Sequence, residues 1–172
     1  PAYTISVPAN YTAYGIVDLV AHCLEAWFGA GDASLSDRFV QAIIMEAMEY
    51  GPMLMKDPLN YDLRARIMWA ATNALNGLTS YGRVSGDWGV HGLGHVLSYL
   101  YDTPHGASLS IVYPAWLKKI KERNPGRIAK LGELLFNKYN PDSAISGLEN
   151  FFKGLGSPVS LSEIGKNENE VK

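Results

Sequence analysis

The chain is poor in the residues that build covalent or thiolate frameworks. It has one cysteine, Cys23, in 172 residues. That excludes an internal disulfide and every cysteine-rich zinc site. Cys23 stands next to His22 inside an apolar helical pattern, so it reads as a buried packing thiol rather than a nucleophile. No apolar run is long enough to span a bilayer, and no basic start followed by an apolar stretch reads as a signal peptide. There is no surplus of positive charge: 15 Lys and Arg stand against 17 Asp and Glu, with a net charge of -2 and a pI near 6.1. A basic stripe for nucleic acid or an anionic membrane is therefore missing. The lack of a disulfide framework fits a reducing cytoplasm.

Several catalytic motifs are missing too. There is no G-x-x-x-x-G-K-[ST] phosphate loop, and Gly92-Leu93-Gly94 lacks a third glycine at dinucleotide-binding spacing. The zincin motif needs a glutamate after its first histidine, where this chain has Gly92. Di-iron bundles need Glu-x-x-His pairs, and none is present.

What remains is an ordinary globular composition, 47% hydrophobic and 19% charged, long enough for a substantial core. Residues 1–172 read as a single helical domain. The chain opens on Pro1 without methionine. It closes on Gly165-Lys166-Asn167-Glu168-Asn169-Glu170-Val171-Lys172, which reads like the start of a charged amphipathic helix. Both ends look cut, as in a fragment of a longer protein.

Periodicity predicts about seven helices. The first covers residues near 12–29, with Ile16, Leu19, Val20, Cys23, Leu24 and Trp27 inward, after start signals at Pro8 and the Asn10/Thr12 pair. Ser34-Leu35-Ser36-Asp37 resembles a capping box and opens a second, stopped around Gly51-Pro52. Asn60 caps a third, in which Asn73 and Asn76 either hydrogen-bond helix to helix, face solvent or line a pocket. Residues 80–89, with Gly82, Gly86 and Gly89, form a loop. A fourth helix carries His91 and His95 to about Tyr101, and residues 102–106 turn. A fifth follows near 107–121, which Pro114 must start, kink or end. The sixth runs from Asn124-Pro125 to about Tyr139, and the seventh from Pro141 to near Gly154. Strand signals are confined to Tyr3–Val7 and Leu109–Tyr113.

The four histidines fall into one pattern. His22 follows Asp18 by four residues, His91 and His95 form a second such pair, and His105 comes ten residues later. Residues four apart share a helix face. Asp18, His22, His91, His95 and His105 are thus candidate ligands for a borderline divalent metal such as Zn(II) or Fe(II). Asp18 lies among Ile16, Val17, Leu19 and Val20, where a carboxylate is costly unless paired or metal-bound. Gly92 and Gly94 weaken a helix by about 1 kcal/mol each, but allow close approach of a backbone or a flat ligand. Spacing alone does not separate His95 from the ligands.

The strings Gly89-Val90-His91-Gly92-Leu93-Gly94-His95 and Tyr101-Asp102-Thr103-Pro104-His105-Gly106-Ala107 closely resemble the iron-containing alcohol dehydrogenase family. Thr12–His22 resembles the same family's other half-site. Gly86-Asp87-Trp88 and Ile111–Trp116 look most like its NAD(P)-dependent butanol dehydrogenase branch. The resemblance spans about residues 1 to 165. It implies an all-α fold like the C-terminal domain of the dehydroquinate synthase and iron-alcohol dehydrogenase group, with the N-terminal dinucleotide-binding domain absent. It carries the metal ligands onto Asp18, His22, His91 and His105, and places His95 near substrate and nicotinamide. One carboxylate ligand would leave a divalent site at formal charge +1, electrophilic enough to stabilise an alkoxide or polarise a carbonyl. His95 would relay the alcohol proton or orient the site. The implied cofactors are Fe2+ or Zn2+ and NAD(P), the substrate a primary alcohol or aldehyde, and a homodimer is compatible. No residues that bind the nicotinamide cofactor are assigned.

Three rival readings share the ligand set. A metal-dependent hydrolase would need a carboxylate base beside the histidine helix, which shows none. A structural metal would favour a closed tetrahedral shell, whereas the extra imidazole and paired glycines favour an open one. A glycerol dehydrogenase or dehydroquinate synthase would use a related helical domain, with a different neighbourhood around Pro104-His105-Gly106.

Overall fold

The computed structural model describes residues 1–166, and these contain seven α-helices and no strand. The proposed helix opening at 167–172 lies outside the described residues. The chain divides into two compact units, Pro1–Trp88 and Gly89–Lys172. The division falls at the end of the glycine-rich loop expected at 80–89.

In the first unit a 3-10 turn at Ala2–Thr4 precedes α1 (Ala9–Phe28), α2 (Ser34–Lys56) and α3 (Tyr61–Leu75), which pack pairwise on one another. The alternation at Tyr3–Val7 makes no strand. Helix α1 is covered almost all round: Ile16, Val17, Val20, Cys23 and Leu24 have no accessible surface. It starts at Ala9, earlier than its apolar pattern, because Pro8 serves as the cap residue and its carbonyl takes the Thr12 N–H at 2.9 Å.

Helix α2 departs from expectation at both ends. The capping box does not form; Ala33 is the cap residue and makes no side-chain cap bond. Ser36 instead donates to the Tyr81 carbonyl at 2.6 Å, and Asp37 pairs with Arg83 at 2.7 Å. Tertiary partners in the 79–88 loop outcompete the local motif. The helix also passes through Gly51-Pro52 to Lys56. An interior proline costs about 3 kcal/mol, and full burial of Leu54 just beyond it offsets much of that, at about 1.5–3 kcal/mol. Asn60 caps α3 as expected, accepting from the Leu63 N–H at 3.1 Å. Asn73 and Asn76 settle locally: Asn73 donates to the Trp69 carbonyl and Asn76 to the Asn73 side chain.

The second unit holds α4 (Gly89–Tyr101), α5 (His105–Ile120), α6 (Pro125–Phe136), α7 (Pro141–Gly154) and a 3-10 turn at Leu161–Ile164. Helix α4 packs on α5, α5 on α7, and α6 on α7. Residues 109–113, a strand candidate, lie inside α5 with every side chain buried. A continuous apolar run reports burial on all sides, and periodicity cannot tell which element is buried. Pro114 lies within α5 and does not stop it. Helix α6 ends at Phe136, before Tyr139, because Asn137 turns left-handed (φ 55°) and its N–H returns to the Glu133 carbonyl. Asn124 makes no side-chain cap bond there, whereas Asn140 caps α7 through the Ser143 N–H at 2.9 Å.

Candidate metal centre

Each unit gathers its own donors. In the first, α1 aims Asp18 and His22 along one face: Asp18 Oδ1 lies 3.5 Å from His22 Nε2. On the same helix, Glu25 Oε2 lies 3.5 Å from His22 Nδ1. The imidazole is bracketed by two carboxylates, one at each nitrogen. Asp18 is about one-third exposed, while Glu25 is 1% exposed. Trp88 meets the His22 ring edge-on, with centroids 6.2 Å apart. These residues border a cavity of ≈ 280 Å³ lined also by Ala74, Leu75, Ser80 and Gly86.

The loop before Trp88 is fastened to the end of α1. Val84 N–H donates to the Ala30 carbonyl at 2.9 Å, and Asp87 N–H to the Glu25 carbonyl at 3.0 Å. Gly29 is required here, since a Cβ at that position would sit 2.0 Å from the Ser85 carbonyl oxygen.

In the second unit, α4 and the first residue of α5 bring three imidazoles together. Ring centroids are 6.0 Å apart for His91–His95, 5.0 Å for His91–His105 and 5.2 Å for His95–His105. His91 is buried; His95 and His105 are exposed. His105 follows Pro104, the cap residue of α5, and a left-handed Asp102 (φ 52°) turns the chain back towards α4. The Ser108 hydroxyl donates to the His105 carbonyl at 2.7 Å, which fixes that first turn. Gly94 makes the close approach: a Cβ there would sit 2.8 Å from Ser108 Oγ and 2.9 Å from Leu109 Cδ2. Gly92, the other glycine expected to serve close approach, faces open space.

Thus Asp18 stands with His22, and His91 with His95 and His105. Imidazole and carboxylate donors of this kind suit Fe(II), Zn(II) and neighbouring divalent ions. The chemistry of the donors therefore fits a metal. Glu25 and the contact of Trp88 on His22 were not expected from sequence. The available signal for Glu25 was an acid three residues after His22, on the same helix face and inside an apolar run.

The described residues thus form a helical domain with imidazole and carboxylate donors on successive helix turns, a candidate metal centre. The comparisons make this specific. Residues 12–172 match the C-terminal part of the Fe-containing alcohol dehydrogenase family, and the chain belongs to that family. It is 36% identical to the NADPH-dependent aldehyde reductase YqhD of Escherichia coli over 99% of its own length and 46% of that protein's. It is 34% identical to NADH-dependent butanol dehydrogenase B of Clostridium acetobutylicum, over 99% of this chain and 46% of that one. Among solved structures, NADH-dependent butanol dehydrogenase A of Thermotoga maritima superposes with a TM-score of 0.94 at 34% identity, covering 99% of this chain and 44% of that one. The chain therefore spans about half the length of the relatives it matches. The expected all-α fold of this family's C-terminal domain is borne out.

Proposed function

We propose that this chain is the metal-binding catalytic half of an NAD(P)-dependent alcohol dehydrogenase or aldehyde reductase, with Asp18, His22, His91 and His105 as ligands of one Fe2+ or Zn2+. The observation that carries the reading is the grouping of donors in both units: a carboxylate and an imidazole on one face of α1, and clustered imidazoles where α4 meets the start of α5. The family match adds the reaction class. The metal, when bound, supplies Lewis acidity towards an alcohol or carbonyl oxygen.

The chain's own residues do the rest. Asp18 adds one negative charge to otherwise neutral donors, so a divalent site keeps a net positive charge. His95 is exposed beside His91 and His105 and holds or releases the alcohol's proton on a ring nitrogen. It is the catalytic residue of this proposal and not a ligand. The substrate is a primary alcohol or its aldehyde, and the partner is a nicotinamide cofactor bound by residues outside those assigned here. No helix of the described residues is long and apolar enough to cross a membrane, and a cytoplasmic enzyme is the proposed setting.

The test is elemental analysis of the purified chain, beside an Asp18→Ala/His105→Ala double variant and a His95→Gln variant. The expected result is about one iron or zinc per wild-type chain, loss of metal in the double variant and retention in His95→Gln. Equal metal in wild type and double variant would refute the ligand assignment. Loss of metal in His95→Gln would make His95 a ligand instead.

A further inference from the structure

We propose that Glu25 is a positioning residue for His22: its carboxylate holds the Nδ1 side of the imidazole, so that Nε2 is the nitrogen offered, beside Asp18, to the metal. This rests on the reading of Asp18 and His22 as ligands.

The geometry begins with register. Asp18, His22 and Glu25 are spaced four and three residues apart on α1, and therefore stack on one helix face. His22 sits between the two acids, with Nε2 3.5 Å from Asp18 Oδ1 and Nδ1 3.5 Å from Glu25 Oε2. The two nitrogens lie on opposite edges of the ring, so the acids act on different atoms. A neutral imidazole carries one proton and one lone pair. Both separations are ion-pair contacts longer than a good hydrogen bond; a proton carried on the Nδ1 side, nearest Glu25, would leave the Nε2 lone pair facing the Asp18 side. The opposite tautomer would turn its donor towards the metal.

Burial strengthens the argument. Asp18 is partly open, but Glu25 is 1% exposed. It sits in sequence between Leu24 and Ala26, both buried. A carboxylate in such a place is costly without a polarised donor, and an imidazole whose other nitrogen binds a cation is a strengthened one. Metal-binding histidines generally hand their second N–H to a carboxylate or carbonyl, which fixes tautomer and ring plane.

The turn bearing Glu25 is also held still. Its carbonyl accepts the Asp87 N–H, and the next residue, Trp88, lies edge-on against the His22 ring. The loop thus fixes both the carboxylate's backbone and the imidazole that it faces. Trp88 restricts ring tilt, while Glu25 selects the nitrogen.

The test uses the full chain, metal-free, titrated anaerobically with Co(II) and with Zn(II) against a competing chelator. Two variants of similar bulk separate acceptance from packing. Glu25→Gln keeps an oxygen that can accept from Nδ1–H; Glu25→Met fills the space and cannot. The expected result is an affinity loss of about 10–100-fold for Met, with an altered Co(II) visible spectrum, and a clearly smaller loss with a near wild-type spectrum for Gln. Melting temperatures of the metal-free variants, measured beside wild type, separate a packing loss from a binding loss.

Met and Gln variants that bind equally well, or equally badly with equal melting temperatures, would overturn the proposal. So would Glu25→Met binding as tightly as wild type. A wild-type chain that takes up neither ion would defeat the ligand reading itself, and this inference with it. Normal uptake that is indifferent to residue 25 defeats this inference alone.

Discussion

His22 and Cys23 are neighbours in sequence and opposites in environment, because one step along a helix is about a quarter-turn. His22 faces Asp18, Glu25 and Trp88. Cys23 faces the core and has no accessible surface. Burial pushes its thiol pKa well above the ordinary range, since the thiolate would be desolvated. Cys23 should therefore be inert to a disulfide reagent such as Ellman's at pH 8 in the folded chain, and react stoichiometrically in denaturant. Fast labelling of the native protein would contradict the burial. The sign for stability follows. Below the ordinary thiol range both folded and unfolded chains are protonated, and the group changes nothing. Above it the unfolded chain alone ionises, so stability falls as pH rises. The buried role of Cys23 was legible from the apolar pattern around it. The proposed role of His95 apart from the ligands was not legible there, because i, i+4 spacing states only which side chains share a face.

At the scale of elements, the two glycines of the histidine helix show how far pattern reading goes. Both were expected to allow close approach. Gly94 makes a close approach, against Ser108 and Leu109 of α5, while Gly92 faces open space. The same substitution should then act with opposite signs. Gly92→Ala adds helix propensity without a clash and should stabilise by about 1 kcal/mol, raising the melting temperature by about 2–4 °C. Gly94→Ala overpacks the α4–α5 contact, at a cost of about 1–3 kcal/mol. It should also weaken metal binding, because α5 starts at His105 and must shift to make room. Thermal melts of the two variants, with and without Zn(II), check this; a stabilised Gly94→Ala would show that the contact yields freely. Helix existence was legible throughout, since 3.6-residue periodicity is a local signal. The boundaries of α2 were not. Its start is governed by Arg83 and Tyr81, more than forty residues away, and its passage through Pro52 by the burial of Leu54. A sequence window sees neither.

For the whole molecule, the limiting fact is what the helices cannot do. Dinucleotides are held where a strand runs through a glycine-rich turn into a helix, whose free N–H groups meet the pyrophosphate. The described residues contain no strand, and Gly92-Leu93-Gly94 lies inside α4, past its first turn, where backbone N–H groups are taken by helical bonds. The chemistry of the proposed site needs a nicotinamide cofactor, and among the described residues no strand-to-helix glycine turn of that kind is present. The 172-residue chain by itself should bind Zn(II) or Co(II), gain thermal stability from it by mass action, and yet consume no NADPH or NADH with butyraldehyde. Absorbance at 340 nm over hours, at micromolar chain, decides the matter. Steady turnover would mean that the helical half carries a nicotinamide site of its own. Metal-dependent stabilisation without turnover would mean that metal binding and hydride transfer are separable, with this chain responsible for the first.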